Sequence, residues 1–297
     1  MEELEKFLAE KKIEYTLNPY GRIMTAAEMK EELANVDGII VGVDPLNREV
    51  LETATRLKAI SKYGVGVDNI DVDYAKSKGI PISITRGANS DAVADYTFAL
   101  LLAVARRLPE INNTGKAGDW SKKVSLDVFG KKLGVIGMGA IGRKVIERAK
   151  GFQMEVFGFD IFEDPEYMQI NQVKKASVEE IMKECDFVSL HLPLTEETRH
   201  LIDEKALSLA KENLVLINTA RGGLIDEKAL YQVLREGRIY GAGLDAFEEE
   251  SPSGSPLFTL DNVVIGTHTA ASTVDATKNM SKMSLENLLR DLEGANE

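Results

Sequence analysis

Lys132 to Gly142 read KLGVIGMGAIG, and this stretch decides the fold. A short apolar run leads into glycines spaced as Gly137-x-Gly139-x-x-Gly142, and the following IGRKVIERAKG has the periodicity of an amphipathic helix. In such a strand, loop and helix unit, the glycines permit a tight turn, a close approach of the main chain to a pyrophosphate, and close packing of helix on strand. The stretch therefore predicts a dinucleotide-binding site at the start of that helix.

The next apolar run, MEVFGFD at 154–160, ends in an acidic residue. Asp160 lies 18 residues beyond Gly142, where a carboxylate can bind the ribose diol of a dinucleotide. An acid at this place repels a 2′-phosphate, and neither Ile161 nor Phe162 supplies a compensating cation. We therefore expect NAD rather than NADP as the cofactor.

Short β-branched runs alternate with amphipathic stretches on both sides of this unit. Examples of the runs are GIIVGV (38–43), LKAIS (57–61), PISIT (81–85), DFVSLHLP (186–193), NLVLINTA (213–220) and NVVIG (262–266). This alternation predicts an α/β fold with a doubly wound parallel sheet. Because the chain has 297 residues and a typical domain has about 150, its length predicts two domains or one large α/β unit.

Composition and charge exclude several classes of function. The chain has 36 Lys and Arg against 48 Asp and Glu, a net charge of −12, which disfavours nucleic acid and anionic membranes as partners. No apolar run reaches the ~18 residues of a membrane span. Cys185 is the single cysteine and cannot form an internal disulfide, so a cytoplasmic location is expected. No metal site is expected.

Polar residues follow several of the predicted strands. Parallel strands bring their carboxyl ends to one edge of a sheet, where ligands bind. The polar residues concerned are His191, Thr219, Arg221, Asp245, Glu250 and His268, and Ala220 lies between Thr219 and Arg221. Taken singly, each is more often a surface or packing residue, and spacing alone does not tell which of the glutamates at 248–250 takes part. His200 is expected to pack at a helix start.

Seven segments of the chain carry a resemblance to a known family. They are YGVGVDNID (63–71), GANSDAVADYTFALLLAVAR (87–106), GVIGMGAIG (134–142), CDFVSLHLPLTEETRHLI (185–202), NTARGGLIDE (218–227), GLDAFEEESP (243–252) and NVVIGTHTAA (262–271). The chain resembles the NAD-dependent D-2-hydroxyacid dehydrogenases, of the phosphoglycerate dehydrogenase and glyoxylate/hydroxypyruvate reductase kind. The resemblance implies a Rossmann-type NAD-binding domain at 89–272 and a smaller flavodoxin-like substrate domain at 1–88 and 273–297.

The resemblance also implies an activity: interconversion of a small D-2-hydroxy acid and its 2-oxo acid, with phosphoglycerate, hydroxypyruvate or glyoxylate as the type of substrate. His268 would be the acid/base, and Glu250 would stabilise its charged ring. Arg221 would hold the carboxylate and the keto oxygen of the substrate.

Binding residues are carried over by their position in these motifs. For NAD they are Gly137, Gly139, Ala140, Ile141, Gly142, Asp160, Leu192, Pro193, Thr219, Ala220, Asp245 and Ala270. For the substrate they are Lys62, Gly64, Val65, Gly66, Asn89 and Arg221. A homodimer is implied too, because the family pairs through the apolar helix that SDAVADYTFALLLAVARR (90–107) predicts, with Trp120 near the interface.

The chain departs from the family at three places. It ends at Glu297 without the regulatory domains that some phosphoglycerate dehydrogenases append, so serine feedback through such a domain is not expected. It opens with MEELEKFLAEKK, which predicts a helix where an apolar strand is usual, so a central strand of the small sheet is expected to be missing. Thr267 also stands where a proline usually precedes the histidine. Two other functions stay open: a catalytically weak NAD(H) sensor or corepressor-like scaffold, and formate dehydrogenase, against which Glu250 argues because that enzyme pairs its histidine with glutamine.

Overall fold

The computed structural model describes Leu8, residues 13–250, Pro252 and residues 254–294. The chain divides into two compact units, a smaller one of Met1–Ile84 with Ser284–Glu297 and a larger one of Thr85–Met283. The first boundary lies four residues before the expected one, and the second falls inside the last helix. The predicted helix at the start of the chain lies outside the described residues except for Leu8, which is helical and buried.

The larger unit is built on a seven-stranded parallel sheet. Its strands are β4 (Lys132–Ile136), β5 (Glu155–Phe159), β6 (Lys174–Lys175), β7 (Phe187–Leu190), β8 (Val215–Asn218), β9 (Gly241–Leu244) and β10 (Val263–Ile265), in the order β10-β9-β8-β7-β4-β5-β6. Strand β4 thus lies between β5 and β7, and the chain changes its direction of winding there. In such sheets the crevice beyond the carboxyl ends at this point is where ligands bind.

Helices cover both faces of this sheet. The helices from residue 90 onward are α4 (Ser90–Ala105), α5 (Leu108–Lys116), α6 (Ala140–Ala149), α7 (Pro165–Asn171), α8 (Val178–Glu184), α9 (Glu204–Ser208), α10 (Glu227–Arg235) and α11 (Val274–Gly294), and several of them pack on the sheet. On one face, Phe98 and Leu101 of α4 and Ile146 of α6 pack on the sheet. On the other, Ile181 of α8 and Leu230 of α10 do so. The expected doubly wound arrangement is confirmed.

The smaller unit has a three-stranded parallel sheet, β1 (Gly38–Val41), β2 (Ala59–Lys62) and β3 (Ile82–Ile84), in that order. Its helices are α1 (Ala26–Leu33), α2 (Arg48–Thr53) and α3 (Val72–Ser77). The second half of α11 also packs here, because Leu288 and Leu292 lie against Gly38. Within the described residues, β1 pairs with β2 alone, which makes it an edge strand.

Candidate active site

The glycine loop follows β4 at the point where the sheet changes its winding. Gly137 has a φ of 100°, and a Cβ there would lie 2.6 Å from the carbonyl carbon of His191, which follows β7. A Cβ on Gly142 would lie 1.9 Å from the carbonyl oxygen of Gly137. Glycine is therefore required at both positions for the loop, the neighbouring strand end and α6 to meet.

Gly139 differs from the other two glycines of this loop. A Cβ built on it would have no heavy atom within 4 Å, so the space beside it is open. No side chain caps the N-terminus of α6, and its first turn carries no acidic residue. Free N–H groups at a helix start, beside open space that only glycine leaves, form a cradle for an anion. These residues fit the pyrophosphate of NAD.

Asp160 lies directly after β5 and holds the glycine loop. One carboxylate oxygen accepts the N–H of Met138, and the other accepts the N–H of Phe162 at 3.0 Å. Each oxygen keeps a further lone pair, so the carboxylate can still accept the hydroxyls of a ribose. The loop and the proposed ribose acceptor are therefore fixed relative to each other.

His268 and Glu250 meet although they belong to different loops. Nδ1 of His268 lies 2.8 Å from Oε1 of Glu250, and His268 has a left-handed φ of 55°. The pKa of His268 is raised, mainly by the hydrogen bond to Glu250 and further by the negative charges of Glu250 and Asp245. Burial of the ring and the positive charge of Arg221 lower it in part. This arrangement keeps a proton available on the imidazole near neutral pH.

Asp245 supports the loop that carries His268. Its carboxylate is buried and accepts the N–H groups of Thr269, at 3.0 Å, and Ala270, at 2.9 Å. Its main-chain carbonyl accepts the N–H of His268 at 2.8 Å. Burial raises the pKa of Asp245, and the two N–H donors oppose that rise. The conformation of the loop at 268–270 thus depends on this one side chain.

Arg221 follows β8 and acts electrostatically on His268. Nη1 donates to the carbonyl of Ala220 at 2.8 Å, and the guanidinium lowers the pKa of His268 electrostatically. Beside it, the Thr219 hydroxyl lies 2.9 Å from that of Thr97 on α4. The structure brings Arg221, Asp245, Glu250 and His268 together at the carboxyl ends of β8, β9 and β10.

The remaining predicted residues lie in both units. Leu192 is buried and Pro193 exposed after β7, and Ala140 and Ile141 open α6. Asn89 is buried in the larger unit, and its Oδ1 has no hydrogen-bond partner among the described residues.

In the smaller unit, the buried ammonium of Lys62 donates to the carbonyl of Gly42 and to Oδ1 of Asn69, at 2.8 Å from the latter. Gly64, Val65 and Gly66 follow it, Gly64 with a φ of 126°.

The structure corrects the expectation for His200 and adds a contact that the sequence did not predict. His200 does not pack at a helix start: it lies in a turn before α9 with a φ of 51°, and its Nε2 is 3.3 Å from Oε1 of Glu248. Glu248 in turn exchanges hydrogen bonds with Glu227, the first residue of α10. The sequence gives no signal for these contacts, because they join loops without periodicity.

Known proteins with similar sequences identify the family. Residues 98–270 match the family described as D-isomer specific 2-hydroxyacid dehydrogenase, NAD binding domain. The chain belongs to the D-isomer specific 2-hydroxyacid dehydrogenases. It is 42% identical over 275 residues to the D-3-phosphoglycerate dehydrogenase of Methanocaldococcus jannaschii. The aligned residues are 91% of this chain but only 52% of that protein. The chain thus spans about half the length of that relative.

Two further members show the same relationship over more of their length. Glyoxylate reductase of Thermococcus litoralis is 42% identical over 274 residues, which are 89% of this chain and 83% of that enzyme. The crystal structure of D-lactate dehydrogenase from Aquifex aeolicus, complexed with NAD and lactic acid, is 30% identical with a TM-score of 0.88, covering 99% of this chain and 94% of that one.

Membership of this family establishes the class of reaction and the cofactor. This dehydrogenase is an NAD-dependent oxidoreductase that interconverts 2-hydroxy and 2-oxo acids. Its described residues contain no cluster of three or more His, Cys, Asp or Glu side chains arranged to hold a metal ion. Among the helices in the described part of the chain, none is both long and apolar enough to cross a membrane.

Proposed function

We propose that His268, Glu250 and Arg221 perform the reduction of a small 2-oxo acid. The observation that carries the proposal is the 2.8 Å contact of His268 Nδ1 with Glu250. It leaves Nε2 of the protonated ring to donate to the substrate carbonyl oxygen, while the carboxylate stabilises the charge on the ring. In the reverse direction, the neutral ring accepts the proton of the substrate hydroxyl.

Arg221 orients the substrate. A guanidinium has donors in a planar fork, which can hold the α-carboxylate and polarise the adjacent carbonyl. Bound NADH supplies the hydride. The N-terminus of α6, Gly139 and Asp160 hold the cofactor, and the carboxylate of Asp160 discriminates against a 2′-phosphate.

Glyoxylate or hydroxypyruvate is the proposed type of substrate, in preference to phosphoglycerate. A distal phosphate needs additional cations. Arg48, the arginine nearest to GIIVGV in sequence, is paired with Glu52 at 3.1 Å and lies over the ring of Tyr74. The ammonium of Lys62 is buried against main-chain and amide oxygens.

A panel of 2-oxo acids tests the proposal. NADH oxidation is measured with glyoxylate, hydroxypyruvate, pyruvate and phosphohydroxypyruvate, and repeated with NADPH. Turnover of the first two with NADH is expected. Replacement of His268 by Ala should reduce kcat roughly 10²- to 10⁴-fold, since a positioned acid contributes that much. Tight NADH binding without turnover of any acid would support the sensor instead.

We further propose a cytoplasmic homodimer. The segment that follows α4 is rich in exposed apolar side chains: Leu108 (59% exposed), Trp120 (89%), Val124 (88%) and Phe129 (62%). None of the residues of α5 is buried. These four side chains, within 22 residues of one another in the chain, are the exposed apolar surface that an interface would cover. Light scattering should give twice the chain mass, and Trp120→Lys combined with Val124→Asp should give a monomer. A wild-type monomer at micromolar concentration would contradict the dimer.

The cytoplasmic location rests on the cysteine. Cys185 is buried as a free thiol, and burial raises its pKa to about 12. Because Cys185 is the single cysteine, the chain can form no internal disulfide of the kind that stabilises proteins in oxidising compartments. Fractionation of cells that express the chain tests the location.

A further inference from the structure

Glu248 and Glu227 hold each other through a reciprocal pair of hydrogen bonds. The N–H of Glu248 donates to Oε1 of Glu227 at 2.6 Å, and the N–H of Glu227 donates to Oε1 of Glu248 at 3.1 Å. Glu227 is the first residue of α10, so its N–H has no acceptor within the helix. The Glu248 carboxylate therefore satisfies a free helix donor and lies at the positive end of the helix dipole.

Two more contacts fix the same peptide. Gly222, next to Arg221, lies so close to the main chain at 247–248 that a Cβ on it would be 1.8 Å from the carbonyl carbon of Phe247. Nε2 of His200 has no exposed surface and lies 3.3 Å from Oε1 of Glu248, without a hydrogen bond to any described residue. The turn of His200 is itself attached to this region, because its N–H donates to the carbonyl of Gly223 at 2.8 Å.

Glu250 comes two residues after this anchored point. Its side chain is 54% exposed, and among the described residues its one hydrogen bond is the contact with His268. A glutamate side chain that is half in solvent loses conformational freedom when it is held in one rotamer. The position of its main chain therefore decides how often its carboxylate meets the imidazole.

We propose that Glu248, held by Glu227, is a positioning residue that keeps Glu250 on His268. This inference rests on the proposed roles of Glu250 and His268. Glu248 itself touches neither substrate nor cofactor in this scheme. The charged groups that act on His268 are Glu250, Arg221 and Asp245, and those that act on Glu227 are Glu248 and Glu250. The imidazole of His200 faces Glu248 from the neighbouring turn.

Glu248→Ala, Glu248→Gln and Glu249→Gln test the proposal in the 297-residue chain. The pKa of His268 is measured by NMR of the ring, together with the pH at which NADH-dependent reduction falls. Glu248→Ala should lower both by about half a unit to one unit, because the imidazole then meets its carboxylate less often. Glu248→Gln should stay near wild type, since its amide oxygen still accepts the N–H of Glu227. Glu249→Gln removes the same charge from the exposed neighbour and should leave both unchanged.

Three results would overturn the proposal. They are an unchanged pKa in a folded Glu248→Ala variant, equal shifts in the Ala and Gln variants, which would mean that charge alone acts, and an equal shift in Glu249→Gln. If Glu248→Ala fails to fold, Glu227→Ala removes the other half of the pair and should shift the pKa in the same direction; no shift there overturns the proposal as well. Glu250→Gln distinguishes failure of the positioning proposal from failure of the proposed function. If Glu250→Gln also leaves the pKa of His268 unchanged, Glu250 is not the partner of His268, and the proposed acid/base pair is wrong.

Discussion

Nδ1 of His268 lies 2.8 Å from Oε1 of Glu250, although 18 residues separate them in the chain. The two residues come from the loops after β10 and β9, which are neighbours in the sheet. Asp245 connects these loops, since it accepts donors from 268–270 with both its main chain and its side chain. The sheet therefore determines which loops meet, and one buried carboxylate determines how they meet.

Glu250→Gln should move the pH dependence of reduction. Reduction needs the protonated ring, so activity falls as pH rises through the pKa of His268, which the hydrogen bond to Glu250 raises. The amide keeps a hydrogen-bonding side chain but removes the charge, so the falling limb should move to lower pH, with the NADH dissociation constant unchanged. Pre-steady-state NADH oxidation across a pH series measures this. A limb that stays in place would mean that another group supplies the proton.

The contact between His268 and Glu250 contributes little to the free energy of unfolding. Because the pKa of His268 is raised in the folded protein, its contribution to the free energy of unfolding is complete below the ordinary imidazole pKa of about 6.5 and is lost as pH rises through the raised value. Both side chains are more than one third exposed, so solvent screens the interaction. Unfolding of wild type and Glu250→Gln should differ little at any pH.

Gly139→Ala and Gly142→Ala should separate cofactor binding from folding. The added methyl group at 139 enters open space, so Tm should be unchanged while the dissociation constant of NADH rises about tenfold or more as the methyl meets the pyrophosphate. At 142 it would lie 1.9 Å from the carbonyl oxygen of Gly137, so the protein should lose stability. Thermal unfolding and fluorescence titration with NADH test the pair. Unchanged NADH affinity in Gly139→Ala would place the pyrophosphate elsewhere.

Asp160→Asn and Asp160→Ala should differ in a defined way. Both remove the charge that repels a 2′-phosphate, so both should narrow the preference for NADH over NADPH. Only the alanine variant leaves the N–H of Met138 without its acceptor, so it should also bind NADH more weakly than the asparagine variant. Titrations with NADH and NADPH give the ratio of the two dissociation constants for each variant. Equal affinity of the wild type for NADH and NADPH would contradict the assigned role.

Asp245→Asn should destabilise the larger unit. Each carboxylate oxygen accepts one main-chain N–H, so either orientation of an amide places an NH₂ group against a donor. A buried donor left unpaired costs about 1–3 kcal/mol, and the loop of His268 loses its support as well. Tm and kcat should both fall, whereas Asp261→Asn at an exposed position should change neither. A Tm equal to that of wild type would show that the loop is held by other contacts.

The sequence predicts the strands, the glycine loop and the edge at which the polar residues gather. Apolar periodicity indicates the strands, and parallel strands bring their carboxyl ends to one edge of a sheet. Strands β4 and β8 lie within KLGVIG and NLVLIN, and Arg221, Asp245 and His268 follow strands as expected. Periodicity does not specify the conformation of a loop. Spacing alone therefore leaves the three glutamates at 248–250 equivalent, and it gives no signal that Asp160 accepts the N–H of Met138 or that His200 contacts Glu248.

The backbone of His268 has a consequence for how this protein changes under selection. Its φ of 55° lies in the left-handed region, which costs a residue with a side chain about 1–2 kcal/mol and costs glycine almost nothing. The exposed contact with Glu250 offsets little of this cost. A laboratory search for heat-resistant variants alone would therefore favour glycine at position 268, with a higher Tm and a kcat roughly 10²- to 10⁴-fold lower. An enzyme kept for its activity has to retain a locally unfavourable residue there.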